Sequence, residues 1–163
     1  MALEIERKFL VNRTLWEKLL KPAGDFFRQG YLLADPQKTV RVRLANNEAF
    51  LTIKGKTQGA TRPEYEYQIP QTDARELLDS FAEAELSKTR YKIMHAGKLW
   101  EIDEFTGENE GLILAEIELT SEDETFALPD WVTEEVTGQR KYYNSQLCAN
   151  PYKTWKNEPA AEF

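Results

Sequence analysis

Charged side chains recur two apart along several short segments of this sequence, and they are sorted by sign. Glu4 and Glu6, Glu64 and Glu66, Glu101 and Asp103, and Glu116 and Glu118 form acidic pairs. Arg41 and Arg43, and Lys88 and Arg90, form basic pairs, with Lys8, Lys54 and Lys92 at further alternating positions. In an extended chain such pairs share a face at a spacing of about 7 Å. Carboxylates placed that way repel each other, and an ordinary solvated face avoids this by mixing signs. A hard divalent cation takes clustered carboxylates as ligands. Arginine forks match phosphate oxygens bidentately, and lysines add point charge. Basic strands that orient a polyphosphate, beside acidic strands that hold metals bridging its oxygens, would supply the positioning and electrostatics of phosphoryl transfer.

These pairs need strands to present them. Period-two alternation predicts strands over Leu3–Val11, Phe26–Leu33, Thr39–Leu44, Ala49–Lys54, Pro63–Ile69, Leu86–Met94, Lys98–Phe105 and Leu112–Leu119, with a weaker one over Val132–Val136. Asn46-Asn47 and Ala96-Gly97 read as hairpin turns. Helices are fewer: Asn12 to about Leu20, then Ala74–Glu85 capped by Thr72 or Asp73 with Leu77, Leu78 and Phe81 on one face, then Asn144–Cys148. Many short strands with few helices indicate a mainly β fold, a barrel or a sandwich. If the charged faces line the inside of one barrel, the apolar faces point outward. Helices such as Ala74–Glu85, other chain segments or a partner subunit must then cover them. Alternation alone describes an ordinary half-solvated sheet equally well; the sorting by sign argues for the enclosed site.

The chain has 163 residues and a net charge of −7. That size suits one domain, read as residues 1–155, followed by a disordered tail over 156–163. The acidic balance argues against nucleic acid, because duplex binding needs a basic face. No apolar run is long enough to span a membrane. Met1–Leu10 carries charges where a signal peptide would have an apolar stretch, and the single Cys148 excludes an internal disulfide, so a cytoplasmic location is expected. Cys148 reads as a small buried residue and His95, the only histidine, as a loop residue. A thiolate or histidine zinc site is excluded by these counts. Trp16, Trp131 and Trp155 read as structural.

The ordered motifs resemble those of the CYTH superfamily, also called triphosphate tunnel metalloenzymes. Glu4-Ile5-Glu6-Arg7-Lys8-Phe9 matches its E-x-E-x-K opening. The likeness continues through Arg41-Val42-Arg43, Thr52-Ile53-Lys54, Glu64-Tyr65-Glu66, Lys88-Thr89-Arg90-Tyr91, Asp103, Glu116-Ile117-Glu118 and Glu135-Val136-Thr137. The resemblance implies an eight-stranded antiparallel barrel, a Mg²⁺ or Mn²⁺ cofactor and a small anionic substrate, with the protein a monomer or a homodimer. It implies that Lys8, Arg41, Arg43, Lys54, Lys88 and Arg90 bind phosphate, and that Glu4, Glu6, Asp103, Glu116 and Glu118 hold metal. Glu64 and Glu66 match acidic positions that serve metal or the attacking water. Catalysis would fall to Glu4, Glu6, Lys8, Lys88 and Arg90. The sequence is most similar to bacterial inorganic tripolyphosphatases, while adenylate cyclases, thiamine or nucleoside triphosphatases and non-catalytic polyphosphate binders share the fold. One departure stands out. Gln139-Arg140-Lys141 replaces the acidic residue and the Lys-Arg or Pro-Arg pair of similar proteins, so Lys141 takes the place of an arginine as a phosphate contact.

Overall fold

A computed structural model describes residues 2–157. The tail expected over 156–163 lies outside the described residues from 158 onward. Nine strands run in chain order as β1 (Leu3–Val11), β2 (Asp25–Ala34), β3 (Lys38–Ala45), β4 (Glu48–Gly55), β5 (Thr61–Ile69), β6 (Ala84–His95), β7 (Lys98–Phe105), β8 (Ile113–Glu118) and β9 (Val132–Glu135). They form one sheet in the order β5-β4-β3-β2-β6-β7-β8-β1-β9. A further antiparallel pairing, Leu3–Ile5 of β1 with Thr61–Pro63 of β5, closes β1 to β8 into an eight-stranded barrel. Past that point the same edge of β1 pairs with the short β9, where Phe9 faces Glu135. The weak ninth segment of the sequence is thus a real strand, placed where β5 leaves β1.

Tight turns set the register. Asn46-Asn47 joins β3 to β4 with Ala45 opposite Glu48, and Asn46 has φ 29°. Ala96 (φ 47°) and Gly97 (φ 78°) join β6 to β7 with His95 opposite Lys98. Two positive φ values in sequence suit the twist of a hairpin. His95 therefore ends a strand beside the turn it was expected to occupy.

The outward faces are apolar and covered. Phe9, Trp100, Ile102, Ala115 and Ile117 pack under Trp16, Trp131 and Phe126. Trp16 and Trp131 stand 5.5 Å apart, and Trp100 and Trp131 6.0 Å apart, both edge to face. Such pairs add about 0.5–1.5 kcal/mol each beyond area burial. The first helix, α1 (Arg13–Lys18), brings Trp16 there; Asn12 caps it, its side chain accepting from the Leu15 N–H at 3.0 Å. The second, α2 (Gln71–Phe81), lays Ala74 and Leu78 on Val42 and Ala49.

Three expectations for α2 are corrected. It starts at Pro70, whose carbonyl accepts from the Ala74 N–H, and it has no side-chain cap from Thr72 or Asp73. It ends at Phe81 rather than Glu85, because the Glu83 N–H donates to the Tyr31 carbonyl and Ala84 already pairs in β6. Phe81 is 66% exposed and does not share the buried face of Leu78.

The interior is not polar throughout. Leu10, Leu86, Phe105 and Leu114 carry the inward parity of Lys8, Lys88, Asp103 and Glu116, and they pack on Val136, Tyr142, Leu147 and Trp155. The C-terminal helices α3 (Asn144–Ala149) and α4 (Tyr152–Trp155) supply the last two of these. Cys148 joins this packing half-buried, and burial pushes its thiol up to about 12. Among the described residues no helix is long and apolar enough to cross a membrane.

Candidate active site

The rest of the interior is a cavity of about 680 Å³. Nine carboxylates and eight cationic side chains line it. Of the residues singled out by sequence, Glu4, Glu6, Lys8, Arg41, Arg43, Lys54, Glu64, Glu66, Lys88, Arg90, Glu116 and Glu118 all reach this space. Strand parity explains the convergence: alternate residues of β1, β3, β4, β5, β6 and β8 point into the barrel while their neighbours face outward.

Asp103 and Lys141 stand elsewhere. Asp103 is 1% exposed, behind the cavity wall. Its two oxygens accept from Arg90 Nε at 2.8 Å, Arg90 Nη2 at 2.9 Å and Lys88 Nζ at 2.7 Å. Lys141 is exposed, with its ammonium over the ring of Trp155, 4.8 Å from the centroid.

Ion pairs tie many of the remaining groups together. Lys54 Nζ lies 2.7 Å from Glu4 Oε2 and 3.3 Å from Glu64 Oε2. Lys8 Nζ lies 3.5 Å from Glu116 Oε1, and Arg41 Nη2 lies 3.6 Å from Glu66 Oε2. Thr52, fully buried, accepts from Arg41 Nη2 and donates to Glu66 Oε2. Arg43 differs. Its Nε donates to the neutral Gln29 Oε1 at 3.0 Å, and among the described residues it pairs with no carboxylate. Burial, with the like charges of Arg41 and Arg90, pulls it down to about 9. The Phe27 ring lies under both Arg43 and Arg90, 4.7 and 5.4 Å from their guanidinium carbons. Burial also pulls Lys88 down to about 7, helped by the charges of Arg90 and Arg43. This corner holds crowded positive charge that an anion would relieve.

Several residues here escaped the charge pattern. Phe27, Gln29 and Tyr31 line or back the site from β2, whose inward residues beyond Asp25 carry no charge. Their shared i, i+2, i+4 face was the available signal. Arg62 lines the cavity one residue before the expected start of β5, and its Nε donates to the Gly55 carbonyl at 3.1 Å. Asn144, on the first turn of α3, accepts from Lys88 Nζ at 2.8 Å.

The acidic side is equally uneven. Burial raises Glu4, but Lys54 and hydrogen bonds with Glu6 and Glu64 outweigh it and hold the carboxyl low. Burial likewise opposes the Lys8 and Arg90 charges that hold Glu116 low. Burial pushes Glu6 well above the usual range, reinforced by Glu116 and Glu4. Glu64 is pushed up to about 7 by burial, its hydrogen bond with Glu4 and the charge on Glu4.

These shifts predict how stability follows pH. Glu64 keeps its proton in the folded protein up to about 7, while the unfolded chain loses it near 4.5. Its contribution is full below the lower value and is lost as pH rises through the higher one. Glu6 acts in the same direction. The groups held low, Glu4, Asp103 and Glu116, lose their contribution only as pH falls below the ordinary carboxylate range. Lys88 adds stability only as pH rises above about 7. Metal-free protein should therefore lose about 1–2 kcal/mol, or a few degrees of melting temperature, from pH 5 to pH 7, after allowance for partial exposure of Glu64. Calorimetry in EDTA checks this, and a flat or rising melting temperature over that interval would contradict the protonated carboxylates.

The donor set fits a divalent metal of a particular kind. Among the described residues no three carboxylates make a ready cage. Glu4 Oε2 is buried and held by the charge of the Lys54 ammonium 2.7 Å away, with no well-aligned hydrogen bond. A cation such as Mg²⁺ takes one or two carboxylates and completes its shell with phosphate oxygens and water. A near-neutral lining also cannot by itself offset the charge of a triphosphate, so metal and substrate belong together.

Residues 2–147 match the CYTH domain. The chain belongs to the CYTH domain family. This CYTH chain is 48% identical over 157 residues to an inorganic triphosphatase of Acetivibrio thermocellus, a match covering 96% of this chain and 99% of that protein. It is 38% identical over 153 residues to an inorganic triphosphatase of Nitrosomonas europaea, covering 89% and 96%. A crystal structure of an inorganic triphosphatase superposes with a TM-score of 0.63 at 35% identity, covering 91% of the CYTH chain and 95% of that one. The PH1012 protein of Pyrococcus horikoshii OT3 shares the fold at 18% identity with a TM-score of 0.56, over 74% and 81% of the two chains.

Proposed function

We propose that this protein is a divalent-metal-dependent triphosphatase that converts inorganic tripolyphosphate and water to diphosphate and orthophosphate. The observation that carries the reading is the buried corner where Arg43 and Arg90 lie over Phe27 beside Lys88; positive charge is crowded there and Arg43 has only an amide for a partner. Two relatives named as inorganic triphosphatases, aligned over nearly their whole lengths, support the same substrate.

The residues divide the work. Arg41, Arg43, Lys88 and Arg90 grip the phosphates, with Lys8 and Lys54 at the boundary to the acids. Their fixed charges stabilise the negative charge that moves onto the leaving diphosphate. Glu4, Glu6, Glu116 and Glu118 would hold Mg²⁺ or Mn²⁺, with Glu64 and Glu66 beside them. A bound divalent ion supplies Lewis-acid stabilisation of the phosphoryl oxygens and lowers the pKa of a bound water. Glu4, which Lys54 keeps ionised, takes the proton of the attacking water as its oxygen bonds to the terminal phosphorus and the bridging P–O bond breaks; Glu6 can do the same only after losing the proton it carries in the metal-free protein. Asp103 acts from behind, fixing Arg90 and Lys88 rather than meeting metal, and Lys141 lies apart from the substrate path.

Phosphate release should require Mg²⁺ or Mn²⁺ and should be fastest with tripolyphosphate in a panel that includes ATP and thiamine triphosphate. Tight binding without turnover would reduce the protein to a binding module, and cyclic AMP formed from ATP would make it a cyclase.

A further inference from the structure

Gln29 and Asn144 form a bridge of two amides inside the barrel wall. Gln29 is 0% exposed, pointing inward from β2 in register with Arg43 of β3 and Leu86 of β6. Its Oε1 accepts from Arg43 Nε at 3.0 Å, and its Nε2 donates to Asn144 Oδ1 at 3.2 Å. The same Asn144 oxygen accepts from Lys88 Nζ at 2.8 Å. Lys88 and Arg90 then share Asp103. One continuous chain of hydrogen bonds thus joins the cations of β3 and β6 through a C-terminal helix, and it fixes the orientation of the Gln29 amide. Leu147 of that helix is fully buried with Leu86, Phe105 and Leu114, so Asn144 is held by packing as well as by its bonds.

We propose that Gln29 and Asn144 are positioning residues that hold Arg43 and Lys88 for the triphosphate through neutral acceptors, fixing the cations without adding negative charge to the wall. This rests on the triphosphatase reading and deepens it. A carboxylate at either position would hold the same cation more strongly. It would also oppose a polyanion in a lining that already carries one more acid than base. An amide supplies the geometry without that penalty.

Asn144→Asp tests the idea directly, because aspartate is isosteric and keeps the oxygen that receives both bonds. Calorimetric titration with tripolyphosphate in EDTA should show affinity weakened about tenfold or more by the added charge. Under turnover the loss should fall on KM, with kcat within a few-fold of wild type. Asn144→Ala removes the acceptor without adding charge, and its loss should fall on kcat, about tenfold, from a misplaced Lys88. This opposite split separates positioning from a structural role, in which both variants would change melting temperature and leave KM and kcat of the folded protein alone. Affinity of Asn144→Asp within twofold of wild type overturns the proposal, as does wild-type kcat in Asn144→Ala. Should Asn144→Ala fail to fold, Asn144→Asp decides alone. Wild-type turnover in the same assay tests the triphosphatase reading separately, and the EDTA titration reads the amides even if that turnover is absent.

Discussion

Asp103→Ala should destabilise the protein by about 3–5 kcal/mol, lowering its melting temperature by about 10 °C or more. Asp103 is the counter-charge for two cations at once, and both it and Lys88 are 1% exposed. Removing it leaves an ammonium and a guanidinium close together, away from water, with opposing charge among the described residues only from buried Glu116 and half-buried Glu101. Breaking a buried pair from one side costs far more than the pair contributes, because the stranded charge keeps its desolvation penalty. Burial already pulls Lys88 down, and the negative charge of Asp103 is what mainly opposes it. The variant should therefore shed the Lys88 proton at lower pH than wild type. Added tripolyphosphate supplies the missing negative charge, so it should raise the melting temperature of the variant more than that of wild type. Thermal unfolding with and without the anion measures both effects. A fall of only a degree or two, with no extra recovery on adding the anion, would show that Asp103 does not neutralise this corner. Asp103→Asn keeps the shape while losing the charge, and it should fall between the two.

The strands that carry alternating charge were legible because a period of two is visible wherever charged and apolar residues take turns. On β1, β3, β6 and β8 that alternation identified the inward residues individually, and Glu6, Arg43, Arg90 and Glu118 all open on the same cavity. It was silent on β2, where Asp25 and Arg28 stand singly with no like-charged neighbour two residues away, and the inward Phe27, Gln29 and Tyr31 look like ordinary core. It placed Asp103 inward but could not tell a metal ligand from a counter-ion, since that depends on which cations the neighbouring strand sets beside it. In β6 these are Lys88 and Arg90, through the register Arg90–Asp103. Lys141 follows β9 in a 3₁₀ turn, Arg140–Tyr142, where no periodic rule fixes direction, and the turn leaves it stacked on Trp155. The end of α2 was not visible because Ala82-Glu83-Ala84-Glu85, all good helix formers, run past the point where the Glu83 N–H is captured by β2. Non-local hydrogen bonds of this sort leave no mark in a local pattern.

Replacing Glu116 and Glu118 together by glutamine should separate the two halves of the site. Both carboxylates line the cavity, Glu116 buried against Lys8 and Arg90, Glu118 exposed and opposite Glu6 across the β1–β8 ladder. If they hold the metal, metal-dependent turnover should fall at least about 100-fold, equivalent to roughly 2.7 kcal/mol of barrier. The metal concentration needed for half-maximal rate should rise with it. Binding of tripolyphosphate in EDTA should move the other way. Removing two negative charges releases Lys8 and Arg90 from Glu116 and leaves the lining net positive, so the anion should bind tighter without metal than it does to wild type. A merely damaged cavity would lose both properties together. Unchanged turnover would remove these two residues from the metal site, and weaker metal-free binding would mean that they shape the cavity rather than charge it. Opposite signs in one variant can arise only if the acidic strands serve the metal and the basic strands serve the phosphate.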